Sequence, residues 1–335
     1  MYKSKLIIGP EIFDIVSEET WNHLAQNGMT NTPFQTYAYQ KGWWTHLGLG
    51  QLISVVVYQE PSQIIGLGCF YLHNGRIYFN ASKEETDYLD VLVYEENAEL
   101  VWSEIFTNLC SDACPSWHSL DFYNLPAPSL SRSILPRLSK NRGFIFSEER
   151  AEVCPVIPLG DSFDQYLAGI DKKQRHEIRR KMRKAANAGV DIEIVASAEQ
   201  LPEAVDTFLD LLQKSTDEKN QWLNEGRTAV FQAVAQAALQ HGTLLLMFTV
   251  LEGERLSALF NFIYDGRIWV YNSGIDISKA GNLSLGVVLT AHAIQHGIEN
   301  GCHTFDFLRG DETYKYRFGA QDTEIFRIQI DRSPQ

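Results

Sequence analysis

The chain has 335 residues, 44% of them hydrophobic, and its 42 acidic side chains outnumber 29 basic ones for a net charge of -13. That length exceeds what one hydrophobic core usually serves and points to two domains of roughly 150 residues. The acidic excess speaks against a general nucleic-acid or membrane-surface binder unless the basic residues cluster. Five cysteines, Cys69, Cys110, Cys114, Cys154 and Cys302, stand in odd number without CxxC spacing. They suit reduced thiols and a cytoplasmic location. No run of 18 apolar residues could span a bilayer, and Leu6-Ile7-Ile8 is too short for a secretory segment, so no membrane insertion is expected.

Taken in chain order, hydrophobic period and turn residues predict an aromatic-rich helix over 35–47, followed by strands over 52–58, 64–72 and 76–79. Asn74-Gly75 marks a hairpin between the last two. A helix over 97–110 and a strand over 119–123 follow. Pro126, Pro128, Pro136, Pro155 and Pro158 then punctuate a stretch with no sustained period, which places the domain boundary near residue 155. The domains are accordingly read as 1–155 and 156–335.

The second half opens with a charged helix over 171–188, with eight Lys or Arg between Lys172 and Lys184 and Gly189 as its C-cap. Helices over 201–216 and 228–240 precede strands over 243–251, 256–264 and 268–273, with turns at Glu252-Gly253-Glu254 and Asp265-Gly266. A helix over 284–299 and a strand over 304–307 complete the set. Each half thus runs through helices, a three-strand antiparallel meander, one long helix and a returning strand. The expected fold class is α/β (α+β): two similar domains, each a mixed, mainly antiparallel sheet flanked by helices.

The densest chemistry is near the C-terminus, where Phe305-Asp306-Phe307-Leu308-Arg309-Gly310-Asp311-Glu312 leads into Tyr314-Lys315-Tyr316-Arg317-Phe318-Gly319. A short apolar strand that ends at a glycine and opens into charge suits a catalytic rim. A second candidate is Ser284-Leu285-Gly286-Val287 at a helix start, where unpaired N–H groups attract anions and Gly286 permits close approach. Ser284 is equally suited to be a plain N-cap. The first half's long helix instead begins after Glu95-Glu96, whose charge repels phosphate. His292 and His296 stand four apart, but residue 293 is alanine and no third ligand presents itself. No metal is therefore expected.

The C-terminal run resembles the signature of CelD-like acyltransferases, a branch of the GNAT superfamily. So do Thr32-Pro33-Phe34-Gln35 with Trp43-Trp44, Thr86-Asp87-Tyr88-Leu89-Asp90, and Ser284-Leu285-Gly286. Ser284 departs from the general GNAT pattern, which has a glycine there, but serine-x-glycine matches the CelD-like branch. Lys315-Tyr316-Arg317-Phe318-Gly319 also looks like a segment of Fem-type peptidyl transferases, which share the tandem fold and use aminoacyl-tRNA.

The resemblance implies tandem GNAT-like domains and an N- or O-acyltransferase with acetyl-CoA or another acyl-CoA as co-substrate. It implies a small or sugar-type acceptor in surface-polysaccharide assembly. Ser284, Leu285, Gly286 and Val287 would hold the donor's phosphates, and the first domain would not bind donor. Arg309 or Lys315 would face the developing negative charge, while Asp306, Asp311 or Glu312 would orient or deprotonate the acceptor. Tyr314, or equally Tyr316, would protonate the leaving thiolate. Asp87, Asp90 and Trp222 are the candidate acceptor contacts. Two alternatives stand beside this reading: a Fem-type enzyme, in which tRNA is the one nucleic-acid partner, and a non-catalytic binding module.

Overall fold

The computed structural model describes residues 2–60 and 62–332, and the chain divides into two units. The first comprises the chain up to Glu152 together with the segment from Glu324, and the second runs from Val153 to Thr323. The chain thus passes from the first unit to the second between Glu152 and Val153 and returns to the first at Glu324.

In the first unit, β1 (Tyr2–Ile8) is followed by α1 (Ile12–Ile15), α2 (Glu18–Gln26) and α3 (Tyr37–Leu47). The meander β2 (Gln51–Gln59), β3 (Gln63–His73) and β4 (Arg76–Phe79) leads to the short β5 (Leu92–Val93), α4 (Ala98–Leu109) and β6 (Ser119–Pro126). Next come α5 (Ser131–Asn141) and the start of β7 (Ile145–Pro158). The meander is antiparallel, and β6 joins β4 in parallel. Asn74 and Gly75 both take positive φ, 49° and 72°, as a tight hairpin requires. Gly66 lets α4 lie against β3, because a Cβ there would come within 2.4 Å of Val101.

The second unit holds α6 (Phe163–Gly169), α7 (Lys172–Asn187), β8 (Asp191–Ile194), α8 (Leu201–Ser215), α9 (Asp217–Trp222) and α10 (Glu225–Gln240). The meander β9 (Leu244–Leu251), β10 (Glu254–Tyr264) and β11 (Arg267–Ile275) follows. It leads to α11 (Ile277–Ala280), α12 (Leu285–Glu299), β12 (Thr304–Asp306) and α13 (Thr313–Arg317). Finally β13 (Gln321–Asp331) carries the chain back, with Ile325–Asp331 antiparallel to β6 of the first unit's own sheet. Helix α12 buries Leu289, Ala293 and Ile294 in a core shared with Leu245, Leu259, Ile268 and Phe305. At roughly 25 cal/mol per Å² of apolar area removed from water, this burial is the main force holding helix to sheet. On the other face Phe208, Phe231 and Phe260 meet ring to ring at 5.2–5.6 Å.

The fold is the expected mixed α/β one, with a largely antiparallel sheet flanked by helices. The proline-punctuated stretch read as irregular is instead α5 and β7. Pro136 sits inside α5, whose buried residues Ile134, Leu135 and Ser139 hold it in place. The first half of β7 is largely exposed, so no buried alternation marks it.

Candidate active site

The sheet of the second unit opens at one point. Strand β11 pairs in parallel with β12 only through Arg267–Trp269 against Thr304–Asp306. Beyond Asp306 the chain follows β7 instead, as Phe307 N donates to Pro155 O at 3.0 Å and Gly310 N to Val153 O at 2.9 Å. The stretch from Val270 to Ile275 keeps β10 on one side and, among the described residues, has no strand on the other. Part of this edge is already bonded by side chains, as Ser273 N donates to Asn272 Oδ1 at 2.9 Å and Ile275 N to Ser215 Oγ at 2.8 Å, and the rest of it is open to an extended ligand.

The charged C-terminal run 305–319, which folds into a tight knot, forms one lip of this opening. Asp306 is 2% exposed, and its Oδ1 accepts from Leu308 N at 2.7 Å. That contact fixes a turn in which Leu308 and Gly310 both have positive φ, 57° and 109°. Lys315, also 2% exposed, donates to the carbonyls of Leu308, Arg309 and Gly310 at 3.1, 2.7 and 2.9 Å and pairs with Glu312 at 2.8 Å. The expectation that Lys315 faces the acyl group is corrected here. An ammonium has three N–H donors, and three carbonyls take them. Asp306 is corrected likewise from an acceptor-facing base to a buried brace of the turn. Arg309 is half-buried, while Asp311, Glu312 and Tyr314 lie at the surface.

A cation that sequence reasoning missed stands on the opposite lip. Lys219, on α9, donates to Ser273 O at 2.6 Å, Asn272 Oδ1 at 3.1 Å and Ser273 Oγ at 3.3 Å. These acceptors lie on the uncovered part of β11. Burial brings the Lys219 amine down to about 8, against the pull of Glu312 and Glu218. The Tyr314 ring stands edge-on to Phe307 at 5.8 Å, and burial of its hydroxyl and the Glu312 charge hold the phenol above its usual value. Tyr316 is pushed up to about 12 by its 2.8 Å hydrogen bond to Asp322. Both tyrosines are protonated at neutral pH. Nothing in the local sequence distinguishes Lys219 from a surface lysine, since its surroundings come from β11, fifty residues on.

The start of α12 supplies a different environment. Ser284 occupies the N-cap position with φ 55°, and its side chain makes no cap hydrogen bond. Leu285 is fully buried and Val287 packs on the core, so these two can offer a ligand only their backbone. A Cβ built on exposed Gly286 meets nothing within 4 Å. There is thus room for an anion beside amides that lack intrahelical acceptors. Helix α7 flanks this end: Ala185 shares a cluster with Leu285 and Val288, and Lys184 Nζ donates to Asn282 O at 3.0 Å.

The candidate acceptor contacts fare unequally. Asp90 is corrected: 7% exposed, it accepts from Ser129 and Ser131 hydroxyls at 2.5 Å, Thr30 at 3.0 Å and Val91 N at 2.8 Å. It is a buried organiser of the first unit. Asp87 is half-buried in the same loop. Trp222 is half-buried, edge-on to Phe231 and beneath the Arg227 guanidinium at 4.6 Å. His292 and His296 are held below the ordinary imidazole value by burial. Among the described residues no three His, Cys, Asp or Glu side chains gather as a metal site, and no helix is long and apolar enough to cross a membrane.

No curated protein matches the chain. The fold is similar to that in "Crystal structure of FemX", with a TM-score of 0.67 at 11% identity over 93% of this chain and 96% of that one. It is similar to L-PGS from Bacillus licheniformis, with a TM-score of 0.60 at 13% identity over 93% and 91%. A tandem GNAT protein from the clavulanic acid biosynthesis pathway gives 0.51 at 11% identity over 99% and 100%. Residues 172–316, which include α7, the open edge of β11, the start of α12 and most of the C-terminal run 305–319, match the family model described as an acetyltransferase (GNAT) domain.

Proposed function

We propose that this protein is an acyltransferase that takes an acyl group, acetyl in the first instance, from coenzyme A and delivers it to an amine or hydroxyl of a small or sugar-type acceptor. The observation that carries the reading is the parting of β11 from β12, with an unobstructed helix start at Gly286 in the same unit. When bound, the coenzyme A thioester supplies an activated acyl carbon. The chain's own groups do the rest. The uncovered edge of β11 orients an extended donor arm, and the first amides of α12, flanked by Lys184, receive phosphate oxygens. Tyr314 retains its proton at neutral pH and can give it to a leaving thiolate. Asp311 and Glu312, both exposed and Glu312 paired with Lys315, are the carboxylates assigned to deprotonating an acceptor. Arg309, half-buried at the turn, is assigned to stabilise negative charge, since Lys315 is committed to the turn. Membership of the CelD-like branch, and with it a role in surface-polysaccharide assembly, belongs to this proposal.

The Fem-type likeness of residues 315–319 and the basic face of α7 support a second reading, in which an aminoacyl-tRNA is the donor. One experiment separates the two: thermal unfolding with acetyl-CoA, longer acyl-CoAs or bulk tRNA. A ligand at 100 times its Kd adds about 2.7 kcal/mol of stability. A shift with an acyl-CoA is expected. A shift with tRNA alone, weakening steeply with salt, would transfer the proposal to the second reading. Silence with all of them would end both.

A further inference from the structure

The first unit, which the acetyltransferase match does not reach, contains an open pocket of about 290 Å³. Three tyrosines, Tyr71, Tyr78 and Tyr123, form its wall. Two of these rings extend a line of aromatic contacts that begins in the core. Buried Trp43 lies 5.5 Å from Tyr71, which stacks on Tyr78 at 5.0 Å and 24°. Leu49, 56% exposed, adds an apolar edge.

Charge is arranged with equal definition. Asp121, 2% exposed at its side chain, is gripped by Arg327 through bonds of 2.8 and 2.9 Å and approached by Arg76 at 3.4 Å. Its carboxylate is thus already matched. Arg76 remains 43% exposed. Lys83 rests 4.8 Å from the Tyr123 ring centroid and, among the described residues, meets no carboxylate at ion-pair distance. Two cations are left lining the opening, with Glu84 the only exposed carboxylate among the lining residues.

The loop that presents Lys83 is irregular yet firmly held. Asn80 Nδ2 donates to Gln40 O at 3.0 Å and Gln40 Oε1 at 2.8 Å, Tyr39 to Glu85 O at 2.6 Å, Trp43 Nε1 to Glu85 Oε2 at 3.1 Å, and Asn124 Nδ2 to Thr86 O at 2.5 Å. Ala81, with φ 79°, is in a conformation few non-glycine residues adopt. Buried polar groups are costly unless fully bonded, and here several serve one loop whose tip, Lys83-Glu84, stays at the surface. That is how a fold presents a binding residue with little freedom.

We propose that this pocket binds a phosphorylated sugar, with the ring against the Tyr71–Tyr78 wall and the phosphate held by Lys83 and Arg76. The size is near the lower end for small-ligand pockets. Burial keeps the three phenols above their usual values, so they are hydroxyl donors to ring oxygens at neutral pH. This inference does not depend on the acyl-transfer reading.

The test is calorimetric titration of the full chain with glucose 6-phosphate, glucose 1-phosphate, glucose and inorganic phosphate. Saturable binding of at least one sugar phosphate is expected, weakened at least tenfold by Lys83→Ala and by Tyr78→Ala, while the ligand-free melting temperature of Lys83→Ala stays unchanged. Should Tyr78→Ala fail to fold, Lys83→Glu takes its place, with the same loss expected. Equal affinity for inorganic phosphate would overturn the ring contact, and equal affinity for glucose the phosphate contact. No binding of either sugar phosphate, or binding indifferent to the Lys83 variants, would overturn the proposal.

Discussion

Two lysines in one unit illustrate how surroundings decide a side chain's role. Lys315 is surrounded by carbonyls and a carboxylate, and its removal leaves three backbone oxygens without donors. Lys315→Ala should cost about 2–4 kcal/mol in denaturant unfolding, with any loss of activity following that of structure. Lys219 meets only neutral acceptors. Its amine titrates near 8 when folded and near the ordinary lysine value when unfolded. Between those values the unfolded chain binds more protons, so stability should rise with pH from about 8 to about 10.5. Below 8 the full cost of holding the charge is present. Subtracting the stability of Lys219→Met across that range should reveal the rise, and parallel curves would show that the amine is not desolvated. Arg309→Ala should lower turnover at least tenfold while the chain still folds, which kinetics and circular dichroism on the same sample would check. Sequence identified the knot but could not rank its members, because exposure separates Lys315 and Asp306 from Asp311 and Glu312, and exposure is set by β7 and β11.

At the scale of elements, both meanders and the helices that were expected were legible to within three residues, since apolar period and Gly-bearing turns mark them, whereas α2 and α5 were not expected. What escaped was packing distance. Gly274 lies where α8 presses on β11, and a Cβ there would come within 2.6 Å of Leu212 N and 2.7 Å of Leu211 C. Backbone cannot swing aside as a side chain can. Gly274→Ala should destabilise by about 1–3 kcal/mol. Gly286 is the contrast, because nothing stands within 4 Å of an added Cβ. Gly286→Ala should therefore keep or raise the melting temperature, alanine being the better helix former by about 1 kcal/mol. It should nevertheless weaken acyl-CoA binding at least tenfold by obstructing the helix start. Unchanged binding would remove that helix start from the proposed site.

For the whole molecule, duplication of an element order was readable, but the chain's final return was not. Strand β13 has modest alternation, and nothing in its sequence announces that its partner is β6, some two hundred residues earlier. Pairing across such a separation depends on the rest of the fold being in place. Deleting residues 324–335 should leave the edge of β6 unpaired and make the protein aggregate, while the circular dichroism of the second unit's helices persists in whatever remains soluble.

This return also bears on biosynthesis. Translation proceeds at about 5–20 residues per second, so roughly ten to thirty seconds elapse between emergence of Glu152 and of the strand that completes its sheet. Throughout that interval the nascent first half presents β6 to solvent as an open template, and the ribosome-bound chain is at its most vulnerable to chaperone capture or mispairing until Glu324 and the residues after it emerge.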